Sequence, residues 1–138
     1  MKKIKLCLLI VSCILMQGCY SRHFKDGFGL IFYANAYDLK DNRCYELDKT
    51  QFGDLINSIC KQAEKIESPE IKKQIEEDFK LKKHLVIRLR YAVFVDDVPA
   101  QIEVTSDGYL KDFNEYYWIE KEEYTQLINF VRNSKQCD

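Results

Sequence analysis

Between Leu85 and Val95 apolar residues recur at every second position, and this alternation constrains the fold more than any other stretch of the chain. Leu85, Ile87, Leu89, Tyr91, Val93 and Val95 share one side, and Val86, Arg88, Arg90, Ala92 and Phe94 share the other. A period of two is the spacing of an extended strand with one buried face. The residues after it are suited to pairing with it. Asp96-Asp97-Val98-Pro99 supplies turn chemistry, and Gln101 to Thr105 reads as a second strand. Asp107-Gly108 is a two-residue hairpin signal, followed by a strand from Tyr109 to Phe113. Asn114-Glu115 turns the chain again into Tyr116-Tyr117-Trp118-Ile119. Strands that follow one another through tight turns imply an antiparallel sheet.

Ahead of this meander the period is helical. Gly27 to Asp38 is predicted to be a first strand, and Asp41-Asn42-Arg43-Cys44 a loop. Asp48 is placed as a helix N-cap, with Gln51 three residues on. Phe52, Leu55, Ile56, Ile59, Cys60, Ala63 and Ile66 then form one apolar stripe. Ser68-Pro69 opens a second helix, Ser68 as N-cap and Pro69 at the first position, with Ile71, Ile75 and Phe79 on its apolar side. A last helix carries Tyr124, Leu127, Ile128 and Val131 on one face. The predicted architecture is α+β. An antiparallel sheet of about five strands carries three amphipathic helices on one face, in the order β-α-α-β-β-β-β-α.

The N-terminal segment has a different character. Lys2, Lys3 and Lys5 precede an apolar run from Leu6 to Met16, then Gln17-Gly18-Cys19. Eleven apolar residues are too few for a hydrocarbon core, which needs about 20. The cationic start, apolar run and small residue are the parts of a secretory signal. The segment resembles the signal peptide of a bacterial lipoprotein, a resemblance limited to residues 1–19. It implies cleavage after residue 18 and fatty acylation of Cys19 as the mature N-terminus. Residues 19–27 would then be the lipidated end and a short tether, with a single domain over 28–138. Ile10-Val11-Ser12-Cys13 is a competing frame, but it would strand Ile14, Leu15 and Met16 in the mature chain. Tyr20, where an inner-membrane lipoprotein would carry Asp, implies the periplasmic face of the outer membrane.

Removing residues 1–18 leaves 120 residues, enough for one domain and few for two. Eighteen basic residues then face 22 acidic ones, a net charge of −4 that gives no general drive toward nucleic acid. Cys44, Cys60 and Cys137 remain, an odd number suited to one disulfide in an oxidising compartment. Cys60 lies within a helical core stripe, whereas Cys44 lies in a polar loop and Cys137 in the tail. The expected pairing is therefore Cys44–Cys137, with Cys44–Cys60 as the competitor.

Catalytic and metal-binding patterns are not legible. His23 and His84 have no Cys or carboxylate near them at ligand spacing. There is no Gly-x-Ser-x-Gly elbow and no phosphate loop. Asp96, Asp97 and Asp107 are accounted for by turns. The chain is read as non-catalytic, without a cofactor. Two patches suit a partner. The first is Lys80, Lys82, Lys83, Arg88 and Arg90, with Arg88 and Arg90 on one strand face, set to meet anionic lipid headgroups or an acidic partner or simply to form the wet side of a sheet. Tyr117 and Trp118 belong to three consecutive aromatics that cannot all point one way. Either one side is an interface, or the sheet is covered on both faces. The functional expectation is an envelope lipoprotein acting as a protein-binding module of the immunity or exclusion type, with Arg88, Arg90, Tyr117 and Trp118 as its anchors. The alternative is a structural accessory of an envelope secretion or assembly complex.

Overall fold

In a computed structural model of the chain, residues 24–138 are described, and Cys19 with the lipoprotein-like segment of residues 1–19 lies outside them. The chain is α+β. A short 3-10 turn (Phe24–Asp26) leads into strands β1 (Ile31–Asp38) and β2 (Arg43–Glu46), helix α1 (Lys49–Gln62), strand β3 (Glu64–Lys65) and helix α2 (Pro69–Leu81). The meander follows as β4 (Lys83–Val93), β5 (Asp96–Thr105), β6 (Tyr109–Asp112) and β7 (Glu115–Trp118), then helix α3 (Lys121–Arg132) and strand β8 (Lys135–Gln136). All eight strands form one sheet in the order β3-β7-β6-β5-β4-β1-β2-β8, and every pairing is antiparallel. The expected sheet of about five strands is thus eight. The three additions, β2, β3 and β8, are short strands at its two margins.

The helices begin where capping chemistry places them. Asp48 accepts from the Thr50 and Gln51 N–H groups at 3.1 and 2.9 Å. Ser68 Oγ accepts from Ile71 N–H, with Pro69 at the first turn. α1 buries Phe52, Ile56, Ile59 and Cys60, and α3 buries Leu127, Ile128 and Val131. Both pack against Leu85, Ile87, Leu89, Ile102, Val104 and Leu110 of the sheet. Full burial of such side chains stabilises by about 1.5–3 kcal/mol each.

α2 does not share that face. Ile75 and Phe79 pack against Tyr116, which points opposite to its neighbour Tyr117 in the main core. The expectation of three helices on one face is corrected to two on one side and one on the other. The cause is β3. Glu64 and Lys65 pair with Trp118 and Tyr117 at the sheet margin. The chain therefore rounds the edge between α1 and α2, with Ala63 in the main core and Ile66 in the second cluster.

Turn positions also shift. β4 ends at Val93 and a two-residue loop, Phe94-Val95, returns the chain, so Val95 is 98% exposed rather than buried. Asp96 to Pro99 belongs to β5 instead of ending β4. Proline is tolerated there because β6 reaches only Ile102, Glu103 and Val104, leaving Pro99 on an edge. The Asp107-Gly108 signal forms a three-residue loop, Ser106 to Gly108, with Gly108 at φ 88°. The next hairpin turns through Phe113-Asn114, with Phe113 at φ 57° and 82% exposed. Asn enters the left-handed region more readily than Phe. Phe113→Asn is therefore expected to raise stability by about 1 kcal/mol, read as a higher denaturant midpoint at unchanged slope. A lower midpoint would show that the exposed ring packs favourably.

Residues ahead of Phe28 also pack on the domain. Phe24 is buried, its ring centroid 4.3 Å from that of Tyr117. Asn57 of α1 then holds the chain by accepting from Phe28 N–H and donating to Phe28 O. The Cys44–Cys137 disulfide is present and ties β8 to the β2 margin. Cys60 is buried in α1, as its place in the stripe requires.

Candidate binding face

The outer face of the sheet is divided. α2 packs on Tyr116 of β7 and Tyr109 of β6 and reaches the near ends of β4 and β5, and the rest of the face, around Tyr33, Arg88, Arg90 and Gln101, is open. Register brings the open residues together: Tyr33 stands opposite Arg90, Asn35 opposite Arg88, and Arg88 opposite Gln101. The Arg88 guanidinium carbon lies 5.4 Å from the centroid of the Tyr37 ring, and its Nε donates to Gln101 Oε1 at 3.3 Å. Arg90 makes a two-pronged contact with Asp97, Nε to Oδ2 at 2.9 Å and a terminal nitrogen to Oδ1 at 3.3 Å. That bond holds the Asp97 carboxyl below its ordinary range and lifts the Arg90 guanidinium. Asn35 donates to the Tyr33 hydroxyl. A shallow depression of about 390 Å³ is lined by Tyr33, Arg88, Arg90, Pro99 and Gln101.

This arrangement pre-orders large side chains without burying them. Arginine stacked on an aromatic ring keeps hydrogen-bonding capacity while its plane is fixed. Arg88 is exposed, and among the described residues it forms no ion pair with a carboxylate. Tyr and Arg are the residue types that dominate protein interfaces.

The four residues singled out from the sequence do not form one surface. Arg88 and Arg90 lie on the open face. Tyr117 is 2% exposed, its hydroxyl donating to Glu115 Oε2 at 2.6 Å on the core side, so it is no surface anchor. Trp118 is 39% exposed but sits on β7, three strand spacings (about 14 Å) from β4, beyond β6. At β7 the sheet is covered on both sides, which resolves the two alternatives posed for the aromatic run. Tyr33 and Tyr37, which complete the face, were not identified. The signal that finds them is the β1–β4 pairing, which sets Tyr33 opposite Arg90 and Tyr37 opposite Val86, beside Arg88.

A second polar cluster is internal. The Asp38 carboxylate accepts from Lys40 N–H at 3.0 Å, Asp41 N–H at 3.3 Å and Arg132 Nε at 3.2 Å. His84 Nε2 lies 3.2 Å from Asp38 Oδ1, an electrostatic contact rather than an aligned hydrogen bond. Its Nδ1 bonds to the Tyr124 hydroxyl. Burial pushes the Asp38 carboxyl up, but the Asp41 N–H, the Arg132 guanidinium and the His84 charge together hold it below its usual value. For His84 burial is the largest influence and pulls the imidazole below 6.5, against the lifting effect of Asp38. The cluster joins β1, β4 and α3. Among the described residues no group of His, Cys, Asp or Glu could hold a metal ion, and no helix is long and apolar enough to cross a membrane.

Comparison with known proteins found no matching family model, no matching curated protein and no matching solved structure.

Proposed function

We propose that this chain is a lipid-anchored protein-binding module of the bacterial envelope. The anchor reading rests on the residues that lead to Cys19. The binding reading rests on one observation: half of a sheet face is left uncovered, and it carries Tyr33, Tyr37, Arg88 and Arg90 in an ordered array. The partner presents carboxylates to Arg88 and apolar surface to the two tyrosines. An immunity- or exclusion-type role, in which the module occupies an incoming protein, suits a small acidic domain held at the membrane.

The test is affinity capture from envelope extracts with the full chain, comparing wild type with Tyr37→Ala and Arg88→Ala. Truncating a true anchor costs about 2 kcal/mol or more in affinity, whereas the exposed Arg88 should leave the thermal midpoint nearly unchanged and the half-buried Tyr37 should lower it only modestly. The reading is overturned if a partner is retained in full by both variants. Recovery of a multi-subunit membrane assembly instead of one protein would favour the accessory role.

A further inference from the structure

The end of the β4–β5 hairpin is apolar and outward-facing. Phe94 is 76% exposed and Val95 more so, and Leu30 and Phe32 at the start of β1 are exposed beside them. Leu30 is placed there by a hydrogen bond from Ala92 N–H to its carbonyl, and Phe32 by a register shift between Ile31 and Tyr33. Phe94 has φ 56°, a value at which two-residue loops normally carry Gly, Asn or Asp. The fold therefore carries backbone strain at a position whose side chain does no packing.

We propose that this tip, Phe94 and Val95 with Leu30 and Phe32, enters the apolar layer of the membrane to which the chain is anchored. The proposal rests on the Cys19 anchor reading and deepens it by fixing which end of the domain meets lipid. Three observations favour lipid over a protein groove. First, the four side chains gather at one end of the sheet as an outward apolar edge, Phe94 and Val95 on the hairpin loop and Leu30 and Phe32 where β1 begins. Second, the charges just behind them largely cancel, since Arg90 is bonded to Asp97, which leaves Asp96 at headgroup level. Third, the chain between Cys19 and Phe24 can span at most about 18 Å, so the domain cannot stand clear of the bilayer. A single apolar contact of this size holds a protein only marginally, and a covalent lipid supplies the second signal that stable attachment requires.

The experiment uses the full acylated chain in phosphatidylcholine vesicles, with an indole moved to the tip by Val95→Trp in a Trp118→Phe background. Flotation with the vesicles reports the anchor. Quenching of the indole by lipids brominated on their tails reports the tip. The expected result is flotation, blue-shifted emission, and loss of most of that emission in brominated vesicles, with quenching reversed by adding Phe94→Asn. Flotation without quenching would overturn the tip proposal and leave the anchor standing. A blue shift without quenching would show a second copy covering the tip, which also overturns it. A chain that neither floats nor is quenched refutes both.

Discussion

Removing the Cys44–Cys137 disulfide, as Cys44→Ala with Cys137→Ala, is expected to lower stability by about 3–4 kcal/mol. The two cysteines are 93 residues apart, so the cross-link closes a loop over most of the domain and restricts the unfolded chain strongly. For a domain of this size that is a fall in thermal midpoint on the order of 10–20 °C. The native state contributes as well. β8 is two residues long and pairs only with Tyr45 and Glu46, and Cys137 N–H donates to Cys44 O at 2.9 Å. A strand that short does not hold a sheet margin by itself. Without the cross-link the last residues should fray first, and amide exchange at Tyr45 and Glu46 should quicken before the core opens. Denaturant titration of both forms measures the total. A difference below about 1 kcal/mol would mean that the unfolded state is already compact and gains little freedom when the link is cut.

The parts of this fold that could be read in advance are those whose cause is local. α1 announces itself because its cap and its stripe, Asp48 through Cys60, lie within four residues of one another at each step. β4 does so because alternation needs only its own eleven residues. What escaped depends on contacts between distant segments. β2, β3 and β8 are two to four residues long and carry no period, so only their neighbours define them. Missing β3 also misplaced α2, since that strand carries the chain around the margin to the other face. The Phe94-Val95 and Phe113-Asn114 loops escaped because Phe stands where turn chemistry asks for Gly or Asn. The same division holds for the candidate face. Arg88 and Arg90 follow from alternation, while Tyr33 and Tyr37 join them only through the β1–β4 register. Nor could local pattern have found the Asp38 cluster, whose Arg132 is 94 residues away in sequence.

Asp38→Asn is expected to destabilise the domain by about 3 kcal/mol and to shift its acid response to higher pH. The Asp38 side chain is fully buried and serves as acceptor for two backbone N–H groups and Arg132, beside His84. An amide keeps the shape but removes the charge and presents donors where acceptors are needed. Losing one partner of a buried pair typically costs about 3–5 kcal/mol, and the lower figure applies because Arg132 is partly exposed and screened. The pH dependence follows from the directions of the shifts. His84 has a folded-state value below 6.5, so the fold favours the neutral ring. Its contribution is complete above 6.5 and is lost as pH falls through that value and below. Asp38 is likewise depressed, so its contribution is present above the ordinary aspartate value of 3.8 and is lost as pH falls further. Glu123 acts the other way. Burial raises its carboxyl, and both oxygens lack a hydrogen-bond partner, so acid relieves it. Wild type should therefore lose stability in two stages, around pH 6 and again below pH 4, softened by Glu123 between them. Asp38→Asn should abolish the lower stage. It should deepen the upper one, because His84 then ionises without a carboxylate beside it. Urea midpoints from pH 3 to pH 8 for both proteins measure this. Parallel curves would mean that Asp38 has the same proton affinity in the folded and unfolded chain, and that the cluster holds β1, β4 and α3 together by packing alone.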